Sequence, residues 1–139
     1  MAVFSEKIQF QTKGFTDIIN ITNDVHHFIS KNGCANGQLL IFIDGSTAAI
    51  STIEYEPGLL QDLPKFLESI IPMEKVYHHD ETWHDGNGYA HLRSTLIGTS
   101  MTVPVIDDRV VLGTWQQIIL IDFDNGPRKR SVILQFVGE

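Results

Sequence analysis

Apolar and polar side chains alternate over the first ten residues of the chain. Phe4, Ile8 and Phe10 share one side of this alternation, with Glu6 as its one polar member. A period of two is typical of a half-buried β-strand, because successive side chains of a strand point to opposite faces. Runs rich in Val, Ile, Leu and Phe predict five further strands, at residues 39–43, 102–106, 109–112, 116–123 and 131–137.

Other segments carry apolar residues at helical spacing and predict three helices, at residues 21–32, 59–70 and 87–98. Gly33 and Gly98 stand where the first and third helices end. The second helix contains Pro64, which should either kink it or mark a first turn capped by Asp62.

The predicted class is α+β, because strands predominate and helices are inserted in the first two-thirds of the chain. We expect a β-sandwich-like fold with antiparallel or mixed sheets and three helices. Turn residues between the later strands, at 107–108 and 125–127, predict an antiparallel meander in the C-terminal third. The last strand is apolar on both faces, which indicates a central strand or an oligomer. A chain of 139 residues is expected to form one domain, residues 1–139.

The charge balance restricts the partners. Ten Lys and Arg stand against 17 Asp and Glu, and the formal net charge of −7 disfavours nucleic acid and membranes as partners. The single cysteine, Cys34, excludes an internal disulfide and a thiolate zinc site. The N-terminus lacks the pattern of a signal peptide, and no apolar run approaches the roughly 20 residues of a membrane-spanning helix. We therefore expect a cytoplasmic protein.

Residues 77–91 form the densest polar cluster and hold four of the six histidines. Imidazole and carboxylate groups bind divalent metals, and histidine is the usual general acid or base near neutral pH. If the third helix begins near Asn87, then Asn87 and His91 share one face with Ser94 or Thr95, at the end of the helix where N–H groups attract anions. A solvated surface loop with incidental histidines explains the same segment equally well.

Three other segments carry candidate chemistry. Glu54 and Glu56 would point to one side of an extended segment and could hold Mg²⁺, although a charged turn before a helix is the favoured interpretation. Trp115 could stack on a planar ring, although packing in the core is the commoner role. Ser46 and Thr47 offer hydroxyl and N–H donors for an anion.

The basic segment Arg128-Lys129-Arg130 follows a proline turn and is interpreted as a solvated hairpin tip, with phosphate attraction at a subunit border as the alternative. The chain has no P-loop, dinucleotide fingerprint, nucleophile elbow or His-Glu-x-x-His pair. These absences exclude the most easily recognised nucleotide-binding and hydrolase classes.

Taken in order, several segments resemble the YjbQ-like family, also called the secondary thiamine-phosphate synthase family. The matching segments are Ser46-Thr47-Ala48-Ala49, residues 52–58, Tyr77-His78-His79-Asp80, residues 85–88 with 91–93, residues 96–100, Leu112-Gly113-Thr114-Trp115-Gln116 and the terminal Val137-Gly138-Glu139. The resemblance spans essentially the whole chain. It implies a homotrimer of β-sandwich-like subunits, with a polar cavity where the histidine segment meets the Gly-Thr-Trp-Gln turn.

The resemblance also implies an activity, the joining of a hydroxymethylpyrimidine diphosphate to a thiazole phosphate with release of pyrophosphate. On this basis we expect Glu54, Asn87 and His91 to be catalytic and a divalent metal, Mg²⁺ or Zn²⁺, to be bound by His79 and His91. The residues expected to bind a small phosphorylated substrate are Ser46, Thr47, Arg93, Thr114, Trp115 and Gln116. Gly45 departs from the many relatives that have a histidine there, so a trimeric metal- or phosphometabolite-binding protein without significant synthase activity is the alternative.

Overall fold

The computed structural model describes residues 1–139. Its eight strands are β1 (Ala2–Thr12), β2 (Asp17–Asn20), β3 (Gly37–Ile43), β4 (Ala48–Glu54), β5 (Ser100–Ile106), β6 (Arg109–Val110), β7 (Gln116–Asp122) and β8 (Arg128–Gly138). Its four helices are α1 (Thr22–Asn32), α2 (Pro57–Ile70), α3 (His78–Trp83) and α4 (Gly88–Ile97).

The strands form two antiparallel sheets. The larger sheet has the order β1-β8-β3-β5-β6, and the smaller has the order β2-β7-β4. β8 therefore lies between two neighbours and is a central strand, one of the two predicted alternatives. The half-buried residues Leu40, Phe42 and Ile133 lie on the outer face of the larger sheet, where Phe42 is paired directly with Ile133.

Three layers stack on each other because the smaller sheet is apolar on both faces. One face packs against the larger sheet around Leu39, Ile41, Ile118 and Leu120, and α1 contributes Phe28 to the same core. The opposite face packs against α2 and α4 in a second core. The members of this second core are Ala49, Leu67, Tyr89, Ala90, Ile119, Ile121 and Phe123. The smaller sheet is thus the middle layer.

The α+β class and the sandwich of antiparallel sheets are confirmed, and several details differ from the prediction. The C-terminal strands are not a meander, because β7 lies in the smaller sheet while β5, β6 and β8 lie in the larger one. A fourth helix, α3, occupies part of the polar histidine segment. α2 begins at Pro57 and is capped by the Glu56 carboxylate, so Asp62 is not its cap and Pro64 lies in its interior. No helix is long and apolar enough to cross a membrane.

Candidate functional site

The register of the smaller sheet separates the predicted site residues into two groups. β4 pairs with β7 from Ala48 opposite Asp122 to Glu54 opposite Gln116. We call the first of these the pocket end of the sheet and the second the turn end. Six residue steps of a strand place the two ends about 20 Å apart.

A fully buried ion pair anchors the pocket end. Arg130 holds the Asp122 carboxylate in two hydrogen bonds, from Nε at 2.7 Å and from Nη2 at 2.8 Å. Asp122 is 0% exposed and Arg130 is 8% exposed. A carboxylate and a guanidinium this deeply buried are tolerated because each has its partner in a two-point arrangement.

A second buried carboxylate, Asp124, accepts four hydrogen bonds and links its own turn to the segments of Thr47 and Asn87. Its oxygens accept hydrogen bonds from the Thr47 hydroxyl at 3.0 Å, the Arg128 Nε at 3.0 Å, the Asn87 amide at 3.3 Å and the Asn125 backbone N–H at 2.8 Å. Burial alone would raise the pKa of Asp124, yet these hydrogen bonds and the Arg128 charge lower it on balance. Asp124 is therefore ionised at neutral pH.

Two histidines stand beside this carboxylate in contact with each other. The rings of His79 and His91 have centroids 4.3 Å apart. His79 Nε2 lies 3.0 Å from the Asn87 side-chain oxygen. Because Asp124 accepts from the Asn87 amide nitrogen, the Asn87 oxygen must face His79, and Nε2 must carry the proton. Neutral His79 then has its lone pair on Nδ1.

The helix starts hold these histidines in place. Asp80 accepts a hydrogen bond from the Tyr77 N–H at the start of α3 and another, at 3.0 Å, from the Gly88 N–H at the start of α4. A Cβ at Gly88 would lie 2.7 Å from the Tyr77 Cβ, so only glycine allows the two starts to approach this closely. Asn87 is the N-cap residue of α4 but makes no side-chain cap, which leaves its amide for Asp124 and His79.

An open polar cavity of about 300 Å³ lies at the pocket end. It is lined by Gly45, Ser46, Thr47, Asn87, His91, Asp124, Arg128 and Arg130, none of which is hydrophobic. A second cavity of about 320 Å³ shares Gly45, Ser46 and His91 with the first. Burial and, secondarily, the neighbouring His79 lower the pKa of His91, so the His91 imidazole is neutral at neutral pH.

The residues predicted around the Gly-Thr-Trp-Gln turn lie at the turn end, away from the histidines. A cavity of about 420 Å³ there is lined by Glu54, Thr114 and Trp115 together with Tyr55 and Glu56 and the amides of Asn20 and Gln117. Trp115 is 71% exposed. It belongs to a turn that the Gln116 side chain braces by bonding the Gly113 N–H and the Thr52 hydroxyl.

Arg93 occupies a third place and does not line the pocket-end cavity. It is 1% exposed. Its guanidinium donates to the Ile71 carbonyl at 2.8 and 3.1 Å and to the Thr16 hydroxyl at 3.1 Å, and it lies over the Tyr89 ring. These contacts tie α4 to the segment after α2, and they do not fit the predicted role of Arg93 as a phosphate ligand.

The donor set around His79 and His91 does not fit the predicted metal site. No group of three or more His, Cys, Asp or Glu side chains is arranged to hold a metal ion. His79 and His91 contact each other, and the His79 Nε2 faces Asn87 and, at 3.3 Å, Asp85. The residues present therefore do not form the three- or four-ligand set typical of zinc.

Asp122 and Asp124 are not among the residues predicted from the sequence, and the segment that contains Arg130 is predicted to be a solvated tip, with phosphate attraction as the alternative. A signal was available in the spacing. Asp122 and Asp124 are two residues apart before the turn, and Arg128 and Arg130 are two residues apart after it. Residues two positions apart in an extended segment point to the same side, so each pair can act together, and the turn brings the acidic pair to the basic pair.

The fold and this site together define a class: a small α+β protein whose middle sheet ends in a polar cavity built from paired acidic and basic side chains and two histidines. Residues 6–139 match the model of the YjbQ family, which is described as "UPF0047 protein YjbQ-like". The chain belongs to this family.

Individual relatives agree with this assignment. A UPF0047 protein of Archaeoglobus fulgidus is 38% identical over 129 residues, which cover 93% of this chain and 98% of that protein. The crystal structure of a YbjQ-like protein of unknown function from Sulfolobus solfataricus superposes with a TM-score of 0.93 at 32% identity, covering 99% of each chain. That of a YjbQ/UPF0047 family protein from Clostridium acetobutylicum gives 0.87 at 30% identity, covering 95% of this chain and 99% of that one.

Proposed function

We propose that this chain binds a small phosphorylated molecule in the pocket-end cavity and acts on it as a transferase. The observation that carries the proposal is the composition of that cavity. Two arginines, a neutral histidine and an amide side chain line about 300 Å³ with no hydrophobic residue among them. Guanidinium groups are the side chains best suited to phosphate, and polar donors around a small volume fix the orientation of a ligand.

The specific reaction that we propose is of the thiamine-phosphate synthase type, as the family resemblance implies. The thiazole nitrogen forms a bond to the methylene carbon of hydroxymethylpyrimidine diphosphate, and the bond from that carbon to the diphosphate oxygen breaks. Pyrophosphate leaves with the bonding electrons. Negative charge therefore develops on the departing oxygen, where Arg128 and Arg130 would stabilise it.

The other pocket residues would orient the substrate. Asn87 and Asp124 fix the His79 tautomer, and neutral His91 can accept or donate a hydrogen bond to a heterocyclic ring. The reaction needs alignment of nitrogen, carbon and leaving oxygen more than it needs proton transfer, so positioning is the main contribution expected from these side chains. The side chains around the cavity do not form a metal site.

The alternative is a trimeric protein that binds a phosphorylated metabolite without significant synthase activity. Two observations favour it: both arginines are already paired with carboxylates, and the turn-end residues predicted to act with the histidines lie at the other end of the sheet. The exposed apolar side chains of Val3 and Val137, which are paired with each other on the larger sheet, support the proposal of an assembly.

A turnover assay with both precursors distinguishes the two candidates. Wild-type protein is incubated with the pyrimidine diphosphate and the thiazole phosphate, and both the coupled product and pyrophosphate are quantified. We expect His91→Gln to lose at least about tenfold in kcat/KM, the effect of losing one positioned group. His27→Gln, an exposed histidine on α1, is the matched control and should keep full activity.

The same samples report the assembly by native mass spectrometry, where we expect a trimer. Binding of either precursor by a trimer with no coupled product would support the binding protein and contradict the synthase. Equal activity of the His91→Gln and His27→Gln variants would contradict the placement of the reaction in the pocket-end cavity.

A further inference from the structure

We propose that the segment Gly45–Thr47 and the free edge of Arg130 form a binding site for a tetrahedral phosphate group within the pocket-end cavity. This site, which we call the phosphate cradle, deepens the proposed function and rests on it for the location of the ligand. It does not depend on the synthase reaction. Its donors are backbone N–H groups and the two outer nitrogens Nη1 of Arg130 and Arg128.

The first argument comes from the hydrogen-bond inventory of Arg130. A guanidinium has five N–H donors. The Nε and one Nη2 proton bond Asp122, and the other Nη2 proton is directed at the Thr47 hydroxyl at 2.6 Å. The two protons of Nη1 have no partner in the chain. A side chain that is 8% exposed and held by a buried carboxylate therefore presents two aligned donors to the cavity.

The second argument is independent and comes from the backbone. The N–H groups of Gly45, Ser46 and Thr47 donate to no backbone or side-chain acceptor, although the N–H groups of Ile43 and Asp44 before them are bonded. All three residues line the cavity. Consecutive unpaired N–H groups in a bent segment are a common cradle for phosphate oxygens.

Gly45 makes the cradle accessible. A Cβ at this position would lie 3.0 Å from Arg130 Nη1, so any side chain would press against the free edge of the guanidinium. The guanidinium cannot move away easily, because Asp122 holds it at two points.

The charges around the cradle favour a phosphate over a cation. Arg128 donates to the Asp124 carboxylate through Nε alone. The other two guanidinium nitrogens of Arg128 have no hydrogen-bond partner in the chain. The Asp122 and Asp124 oxygens already accept hydrogen bonds from Thr12, Thr47, Asn87, Asn125 and the two arginines. Unsatisfied donors therefore face the cavity while the acceptors are saturated, and a ligand rich in acceptor oxygens complements them.

The test is a titration of the full-length protein with inorganic phosphate, followed by calorimetry and by backbone amide NMR. We expect the amide protons of Gly45, Ser46 and Thr47 to shift downfield as phosphate binds. Gly45→Ala should weaken binding about tenfold, the effect of losing one charge-assisted hydrogen bond. Gly113→Ala is the matched control, because a Cβ there makes only ordinary contacts at the turn end, and it should bind phosphate like the wild type.

Arg128→Met gives a second variant. It removes the exposed partner of Asp124 and leaves the buried Arg130–Asp122 pair in place. It should also weaken phosphate binding and reduce its salt dependence. Methyl phosphate in a parallel titration distinguishes the source: tighter binding than inorganic phosphate indicates a substrate phosphate, and weaker binding indicates free phosphate. Either result supports the cradle.

Unchanged phosphate affinity in both Gly45→Ala and Arg128→Met, or amide shifts confined to other residues, would overturn the inference. If both variants bind phosphate more weakly than wild type and the wild type forms no coupled product, the cradle stands and the synthase proposal is overturned. Coupled product formed at equal rates by wild type and both variants would overturn the cradle and the proposed role of Arg128 at the leaving oxygen, while the synthase reaction itself would stand.

Discussion

The two ends of the middle sheet hold the same kinds of residue and use them differently. At the pocket end, Asp122 and Arg130 are buried, paired and fixed by several hydrogen bonds. At the turn end, Glu54 and Trp115 stand in solvent, and Glu56 serves as the cap of α2. Buried polar groups must be satisfied, so their geometry is rigid and specific. In this protein the candidate residue types form a fixed arrangement only at the end of the sheet where they are buried.

The largest expected effect comes from breaking the buried ion pair. Asp122→Ala leaves the Arg130 guanidinium buried without its two-point partner, and removing one member of such a pair costs about 3–5 kcal/mol. Chemical denaturation should show this loss in the free energy of unfolding. Glu54→Ala removes an exposed carboxylate from the turn end and should stay within about 0.5 kcal/mol of wild type. Similar losses in the two variants would contradict the distinction between the ends.

The sequence predicts the positions of helices and strands better than it predicts which strands pair in each sheet. The strand at 39–43, the helix at 87–98 and the sandwich class follow from local periodicity, which reports burial along one segment. The assignment of β7 to the middle sheet depends on contacts with β2 and β4, two strands that the sequence analysis did not identify. β2 is only four residues long, and β4 begins with the small residues Ala48 and Ala49, so neither carries a strong pattern.

The site was predicted in part for the same physical reason. Asn87 and His91 were found because a helix start and a helical spacing place them on one face, and the structure brings His79 to them. The prediction for Arg93 rests on its residue type, and no local pattern distinguishes a phosphate-binding arginine from one that donates to a buried carbonyl such as that of Ile71. The separation between the histidines and Trp115 follows from sheet register, which spacing along the chain does not report.

A smaller effect is expected in the pH dependence of the free energy of unfolding, to which the buried His91 contributes. The pKa of His91 lies below its ordinary value of 6.5 because the side chain is buried, with His79 adding to the effect. The unfolded chain therefore binds a proton at His91 before the folded protein does, and the unfolding free energy falls as the pH drops below 6.5. Above that pH the contribution of His91 to stability is fully present.

The measurement compares denaturation of wild type, His91→Gln and His27→Gln above and below pH 6.5. His27→Gln is the matched histidine control, because His27 is exposed on α1 and does not line the cavity. His91→Gln should lose less stability than wild type over the same interval. Parallel curves for all three proteins would show that His91 is as well solvated as a turn-end side chain.

The smallest expected effect belongs to the turn end and corrects the interpretation of Trp115 as a core residue. A buried tryptophan costs about 3–5 kcal/mol when it is replaced by alanine, whereas surface substitutions usually stay within about 0.5 kcal/mol. Because Trp115 is 71% exposed, Trp115→Ala should unfold at nearly the wild-type denaturant concentration and bind inorganic phosphate with unchanged affinity. A loss of several kcal/mol in a concentration-dependent transition would instead mean that a second copy of the chain covers Trp115, and the turn end would then be a buried part of the assembly.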